Sequence, residues 1–262
     1  MNTLQFVDTH CHLHWLTEAH QLSLEVLMTQ ALEAGVGHFL CVAITLDDVP
    51  VILDLAQQYP TVYASVGLHP NEVRAQEPTK SDLIAMAEHP AVIAIGETGL
   101  DYYRTTGDHQ HQQARFRTHI QAALAAKLPL IIHTREAQVD TLRILREEGA
   151  EQVGGVMHCF TEDVAMAEQA LALGFYISLA GIVTFKNATT LHEVAKAVPL
   201  SRLLIETDCP YLAPAPFRGK PNQPAYVRFV AEKIAELKNL TLAEVAQQTT
   251  QNFFELFPRA TR

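Results

Sequence analysis

The sequence has 262 residues, 48 % hydrophobic and 18 % charged, a balance that excludes collagen, coiled coil and wholesale disorder. With 19 basic and 29 acidic residues the formal charge is −10, which disfavours nucleic-acid binding through overall charge. No apolar run approaches the roughly 18 residues that span a bilayer, and Met1–Phe6 has no basic region leading into an apolar one, so neither a membrane segment nor a signal peptide is expected.

Short apolar, β-branched runs recur along the chain, separated by amphipathic stretches. Leu4–Val7 is the first predicted strand. A helix is expected over Leu22–Ala34, where apolar residues recur at three and four and Gly35 stops the pattern. His38–Ala43 and Val62–Val66 are the second and third strands. Ser81 is expected to cap a helix over Asp82–His89, ahead of a fourth strand at Ala91–Ile95. Helices over Phe116–Lys127, Val139–Glu148, Val164–Leu173 and Leu191–Val198 alternate with strands at Leu130–Ile132, Gly155–Met157, Phe175–Ser178 and Leu203–Ile205. Two more helices, Pro224–Leu237 and Leu242–Phe257, follow, the second capped by Thr241.

Eight strands alternating with helices imply parallel βαβ units. Eight such units in 262 residues predict an α/β fold, a closed (β/α)8 TIM barrel, as a single domain over residues 1–262. The extra C-terminal helices would pack outside the barrel or close its bottom. An open doubly wound sheet is the alternative, but no G-x-G-x-x-G follows the first strand. Cys11, Cys41, Cys159 and Cys209 form no C-x-x-C pair and read as free thiols in a reducing cytosol, so a cytoplasmic location is expected.

The polar residues fall in a pattern. Asp8, His10 and His12 follow the first strand, His69 the third, Glu97 the fourth, His133 the fifth, His158 the sixth and Asp208 the eighth. In a barrel the carboxyl ends of the strands converge on one mouth. Residues two apart on a strand share a face, so His10 and His12 would point into the barrel and Cys11 away from it. Imidazoles with carboxylates suit Zn²⁺, Mn²⁺ or Fe²⁺, and Mg²⁺ less well. Four histidines and two carboxylates exceed the set that one catalytic zinc uses, so two divalent ions sharing a bridging carboxylate fit better. Paired ions about 3.5–4 Å apart are the usual apparatus of phosphoester cleavage. Taken singly, Glu97 and Asp208 could be ordinary cap or salt-bridge carboxylates, but their placement beside Ile95 and Ile205 makes an unpaired charge costly.

The segments Asp8-Thr9-His10-Cys11-His12-Leu13, Gly67-Leu68-His69-Pro70, Gly96-Glu97-Thr98-Gly99-Leu100-Asp101-Tyr102-Tyr103, His133-Thr134-Arg135, His158-Cys159-Phe160 and Glu206-Thr207-Asp208-Cys209-Pro210-Tyr211-Leu212 resemble the motifs of TatD-family metal-dependent deoxyribonucleases, from about Phe6 to Phe257. The resemblance implies an amidohydrolase-like barrel and a DNase of the 3′→5′ exonuclease type acting on DNA. It implies that His10, His12 and Asp208 hold one ion, that His133 and His158 hold the other, and that Glu97 bridges them. Asp208 would also orient or deprotonate the attacking water, and His69 would be a non-ligand touching the scissile phosphate or the leaving group. Arg135 is the expected phosphate-binding cation, because guanidinium matches phosphate bidentately, with an ion pair to Glu136 as its ordinary alternative.

Weaker expectations surround this set. Arg104, Lys186, Arg218 and Lys220 could track a nucleic-acid backbone, and Tyr102, Tyr103, Phe185 and Tyr211 could stack on bases, although solvation and packing are the commoner roles. Asp101 could orient a ligand imidazole, and Asp8 could do so beneath His10. The same site could instead hydrolyse an ester or amide, as a D-aminoacyl-tRNA deacylase would. A non-catalytic metal-binding barrel is a third reading, disfavoured because every ligand position is filled. No membrane contact and no obligate protein partner are expected.

Overall fold

The computed structural model describes residues 4–105 and 107–262; the reading of the amino terminus rests partly on residues 1–3, which lie outside them. Eight strands, β1 (Phe6–Cys11), β2 (Val36–Cys41), β3 (Val62–Val66), β4 (Val92–Asp101), β5 (Leu130–Arg135), β6 (Gly155–Met157), β7 (Phe175–Leu179) and β8 (Leu203–Ile205), pair in parallel in sequence order. Across the β8–β1 seam, Asp208 N donates to His10 O (2.9 Å), His12 N to Cys209 O (3.0 Å) and Thr9 Oγ1 to Ile205 O (3.0 Å). The helices are α1 (Leu13–His20), α2 (Leu24–Glu33), α3 (Asp48–Gln58), α4 (Lys80–Ala87), α5 (Gln110–Ala126), α6 (Gln138–Glu147), α7 (Val164–Ala172), α8 (Thr189–Ala197), α9 (Val227–Lys238) and α10 (Leu242–Leu256). The architecture is the expected (β/α)8 barrel.

Several local expectations are corrected. The α4 cap is Thr79, not Ser81: Thr79 Oγ1 accepts from Asp82 N, and Asp82 returns the bond to Thr79 N, a reciprocal pair that starts the helix two residues earlier. α1 and α3 were not expected. The segment from Pro224 opens with a 3-10 turn before α9. α5 starts at Gln110 rather than Phe116. Thr241 caps α10 as expected, in a capping box with Glu244.

Two apolar layers result. One lies between barrel and helices and contains Phe6, Cys11, Phe39, Leu130 and Phe175. The other fills the barrel bottom with Val7, Leu40, Tyr63, Ile131 and Leu204, capped by Phe253, Leu256 and Phe257 of α10 and the residue after it. Burying each such large side chain contributes about 1.5–3 kcal/mol. Around this plug, Asn252 Nδ2 donates to Leu200 O and Leu203 O, Arg259 to Ala87 O and Val92 O, and Tyr63 Oη to Thr261 O. Further along the strands the interior turns polar, with Thr9 Oγ1 3.3 Å from Ser178 Oγ and Ser65 Oγ accepting from Ala43 N. The imidazoles and carboxylates come next, at the mouth.

Candidate metal centre

β1, β4 and β5 run further than expected, and this puts three of the six candidate ligands on rigid strands rather than in loops. His10 lies within β1, Glu97 and Asp101 within β4, and His133 within β5. Simple alternation along β1 fails: Val7 belongs to the inner layer and Cys11, also odd-numbered, to the outer one. The β1–β2 register shifts between Asp8 and Cys11, which accounts for the change of parity and turns Cys11 outward between the two histidines. Glycines let the strands close in: Gly99 has φ +142°, and a Cβ there would lie 2.0 Å from His133 O.

Glu97 is the hub. Its Oε1 lies 2.9 Å from His133 Nδ1, 3.1 Å from His158 Nε2 and 3.5 Å from His69 Nε2, and its Oε2 lies 3.4 Å from His10 Nε2. Asp208 Oδ1 lies 3.5 Å from His12 Nε2 and 3.6 Å from His10 Nε2. All of these except His69, His133 and Asp208 are fully buried, and those three are partly exposed at the mouth. Ligand atoms of His10, His12 and Asp208 lie within 4.8 Å of one another, as do those of His10, His158 and Glu206 and those of His69, Glu97 and His133.

The far ring nitrogens decide which imidazoles present a lone pair. His12 Nδ1 donates to Val42 O (2.9 Å), His158 Nδ1 to Glu206 Oε1 (3.0 Å) and His133 Nε2 to Asp101 Oδ2 (3.2 Å). Each therefore turns its other nitrogen, free to ligate, toward the site. His69 is wired the opposite way: Asn71 N donates to His69 Nδ1 (3.2 Å), so in the neutral ring the Nε2–H faces Glu97. Despite its proximity to Glu97 and His133, His69 is arranged as a hydrogen-bond donor. Its backbone is fixed from α5: Arg115, paired with Glu77, donates to His69 O (2.7 Å), and His119 Nε2 accepts from Leu68 N (3.0 Å).

The electrostatics match a cation site. Burial pushes the Glu97 carboxyl up, but His158, His69 and the imidazoles bonded to it outweigh this and hold it well below the usual range. Burial works against charge on His158 and His133, but Glu97 and Glu206 raise the first, and Asp101 and Glu97 raise the second. Burial lowers His10, and so does neighbouring His158, stacked on it at 3.7 Å. A divalent ion bound among these imidazoles would compete with their protons, so ion uptake is expected to release protons. Neither ring nitrogen of His10, which is fully buried, has a hydrogen-bond partner. A divalent ion satisfies such an orphaned donor set, and the imidazole–carboxylate chemistry fits one.

Sequence reading left Glu206 without a role. It is fully buried, and its Oε1 accepts from both His158 Nδ1 and Cys159 N (2.7 Å). Glu206→Gln is expected to weaken ion binding about 10–100-fold, read by competition with a chromophoric chelator. Unchanged affinity in a folded variant would remove this role.

Asp8 makes no hydrogen bond to the His10 ring. Its carboxyl accepts from Thr207 Oγ1 (2.6 Å) and Thr207 N (2.9 Å), fixing the β8 end. Burial pushes it up to about 8 against those bonds. Between the ordinary value of 3.8 and about 8 the folded protein holds a proton that the unfolded chain has lost, so this contribution to stability is lost as pH rises. In chelator-treated protein, Asp8→Asn should gain melting temperature relative to the parent between about pH 5 and about pH 8. A difference that does not change with pH would contradict this.

Around the rim, Arg135 stacks on the exposed Tyr103 ring (3.8 Å) and makes no ion pair with Glu136 or any other carboxylate among the described residues. Tyr102 bonds Asp140 and stacks on His109, a packing role. Asp101 orients His133 as expected.

Residues 7–258 match the sequence model of a family described as TatD related DNase. The chain belongs to the TatD family of metal-dependent hydrolases. This TatD-family chain is 48% identical over 253 residues to YcfH of Escherichia coli strain K12, described as an uncharacterized metal-dependent hydrolase, covering 96% of this chain and 95% of that one. It is 44% identical to YabD of Bacillus subtilis strain 168, with the same description, covering 95% and 98%. Its fold matches the crystal structure of YJJV, a TatD homologue from Escherichia coli K12, with a TM-score of 0.87 at 29% identity, over 98% of this chain and 99% of that one. No helix among the described residues is long and apolar enough to cross a membrane.

Proposed function

We propose that this chain is a deoxyribonuclease that shortens DNA in the 3′→5′ sense, with two divalent ions held by His10, His12, Glu97, His133, His158 and Asp208. The observation that carries the two-ion site is the wiring of the imidazoles: three have their far N–H tied to an acceptor, and of these His133 and His158 converge on the buried Glu97 carboxylate while His12 faces Asp208. DNA as substrate is supported by the description of the matching family. Ions bound there supply Lewis acidity toward phosphoryl oxygens and bring the pKa of water down to about 7. Asp208, at the mouth, orients the attacking water and takes its proton. His69 offers its Nε2–H to a phosphoryl or leaving oxygen. Arg135, free of carboxylate partners, presents its guanidinium edge to the phosphate. Four unpaired cysteines suit a cytoplasmic setting.

The test is to strip the protein with chelator and restore Mg²⁺, Mn²⁺ or Zn²⁺ singly, using end-labelled single- and double-stranded DNA. Ion-dependent shortening from the 3′ end is expected. No cleavage with any ion, in protein that binds two, would redirect the reading to ester or amide bonds such as an aminoacyl ester on tRNA.

A further inference from the structure

The charge is unevenly distributed. Residues 1–73 contain no Lys or Arg and carry −8 of the net −10. The segments after β7 and β8 are the reverse: residues 180–192, which run into the first turn of α8, and 209–226 contain no Asp or Glu and carry Lys186, Arg218 and Lys220, all exposed. These three side chains have no carboxylate partner among the described residues, whereas Arg117, Arg143, Lys196, Arg228 and Lys233 on the helices are each paired with one. The two loops form one built surface. Thr184 Oγ1 accepts from Ala215 N (2.7 Å), and Gly181 packs so closely on Leu212 that a Cβ would lie 2.0 Å from its carbonyl oxygen. The Arg218 guanidinium lies over the Phe185 ring at 4.5 Å, which orders the cation and leaves its N–H edge outward. Asp208 lies at the root of the same β8 loop, so the patch borders the mouth.

We propose that Lys186, Arg218 and Lys220, with Phe185 beneath Arg218, form the subsite that holds the phosphates of a nucleic-acid strand beyond the one being cleaved. It rests on the nuclease reading for the identity of the strand. An acidic protein repels a polyanion everywhere except where unpaired cations are gathered. Beyond a Debye length of about 8 Å at physiological salt, the acidic β1–β3 side is screened and the local patch dominates. The strand therefore leaves the metal centre over the β7–β8 rim and away from the β1–β3 rim.

The test is fluorescence anisotropy of the purified full-length protein with a labelled single-stranded oligonucleotide whose phosphorothioate links resist hydrolysis, across a salt series. The variant Lys186→Gln/Arg218→Gln/Lys220→Gln should bind about tenfold more weakly at low salt, with the slope of log Kd against log salt shallower by about 2, from roughly 0.7 per lost phosphate contact. Arg117→Gln/Arg143→Gln should behave as the parent. Parental affinity and slope in the triple variant, or no binding by the parent, overturns the proposal. Patch-dependent binding without cleavage by the parent would retain the patch and remove the nuclease reading. Cleavage by the parent with patch-independent binding would do the reverse.

Discussion

Replacing Glu97 by alanine is expected to abolish hydrolysis, with a loss of at least about 10³-fold in kcat, and to lower the bound ion content. Removing a single oxyanion donor costs about 10²–10³ in other hydrolases, and Glu97 serves more than one group. It is fully buried and faces His10, His69, His133 and His158 at once, so its loss leaves imidazoles that repel each other with no counter-charge between them. A stability signature accompanies the catalytic one. In ion-free protein the Glu97 carboxyl is held low and His158 high. Stability from this pairing is present above the ordinary carboxyl value of 4.5 and below the ordinary imidazole value of 6.5; it is lost as pH falls through the depressed carboxyl value or rises through the raised imidazole value. Melting curves of stripped protein should therefore show a mildly acidic optimum that Glu97→Ala flattens. Parental activity in the folded variant would dismantle the site as drawn.

Replacing Asp208 by asparagine separates holding an ion from moving a proton. Asp208 has φ +58°, a left-handed conformation that asparagine adopts readily, so the backbone at the mouth should persist. The amide oxygen can still face His10 and His12, but it cannot accept the proton of an attacking water. Ion content measured by mass spectrometry should stay near that of the parent, while kcat falls about 10²–10⁴-fold, the range of a general base. Hydrolysis at the parental rate would assign proton removal to another group. Loss of the ions along with activity would make Asp208 a ligand first.

The barrel was legible because a parallel strand buried on both faces leaves a short apolar run, and the polar residue that follows such a run marks the mouth. That reading located His69, His158 and Asp208 correctly outside their strands and found every member of the Glu97 cluster. It placed His10, Glu97 and His133 just beyond strands that in fact contain them, because a polar residue after an apolar run looks the same whether the strand ends there or continues into a polar barrel mouth. α1 escaped notice because His12, which lacks a capping side-chain bond, precedes it, and α3 because Asp47 caps nothing and Pro50 sits in its first turn. Glu206 escaped for another reason. β8 ends at Ile205, so alternation says nothing about the next side chain, and only the fold shows it under His158. The direction in which each imidazole carries its proton is set by carbonyls and carboxylates from other strands, and no local pattern encodes it.

The aromatic stopper supplied by α10 has a consequence for traffic. With Phe253 and Phe257 filling the bottom and Tyr63 tethered to Thr261 beside them, the described residues close that end and leave the mouth as the doorway to the polar end of the barrel. Ions, substrate and products must share it. An oligonucleotide lying across the doorway should then slow the extraction of ions by chelator, in proportion to its occupancy, whether or not it is being cut.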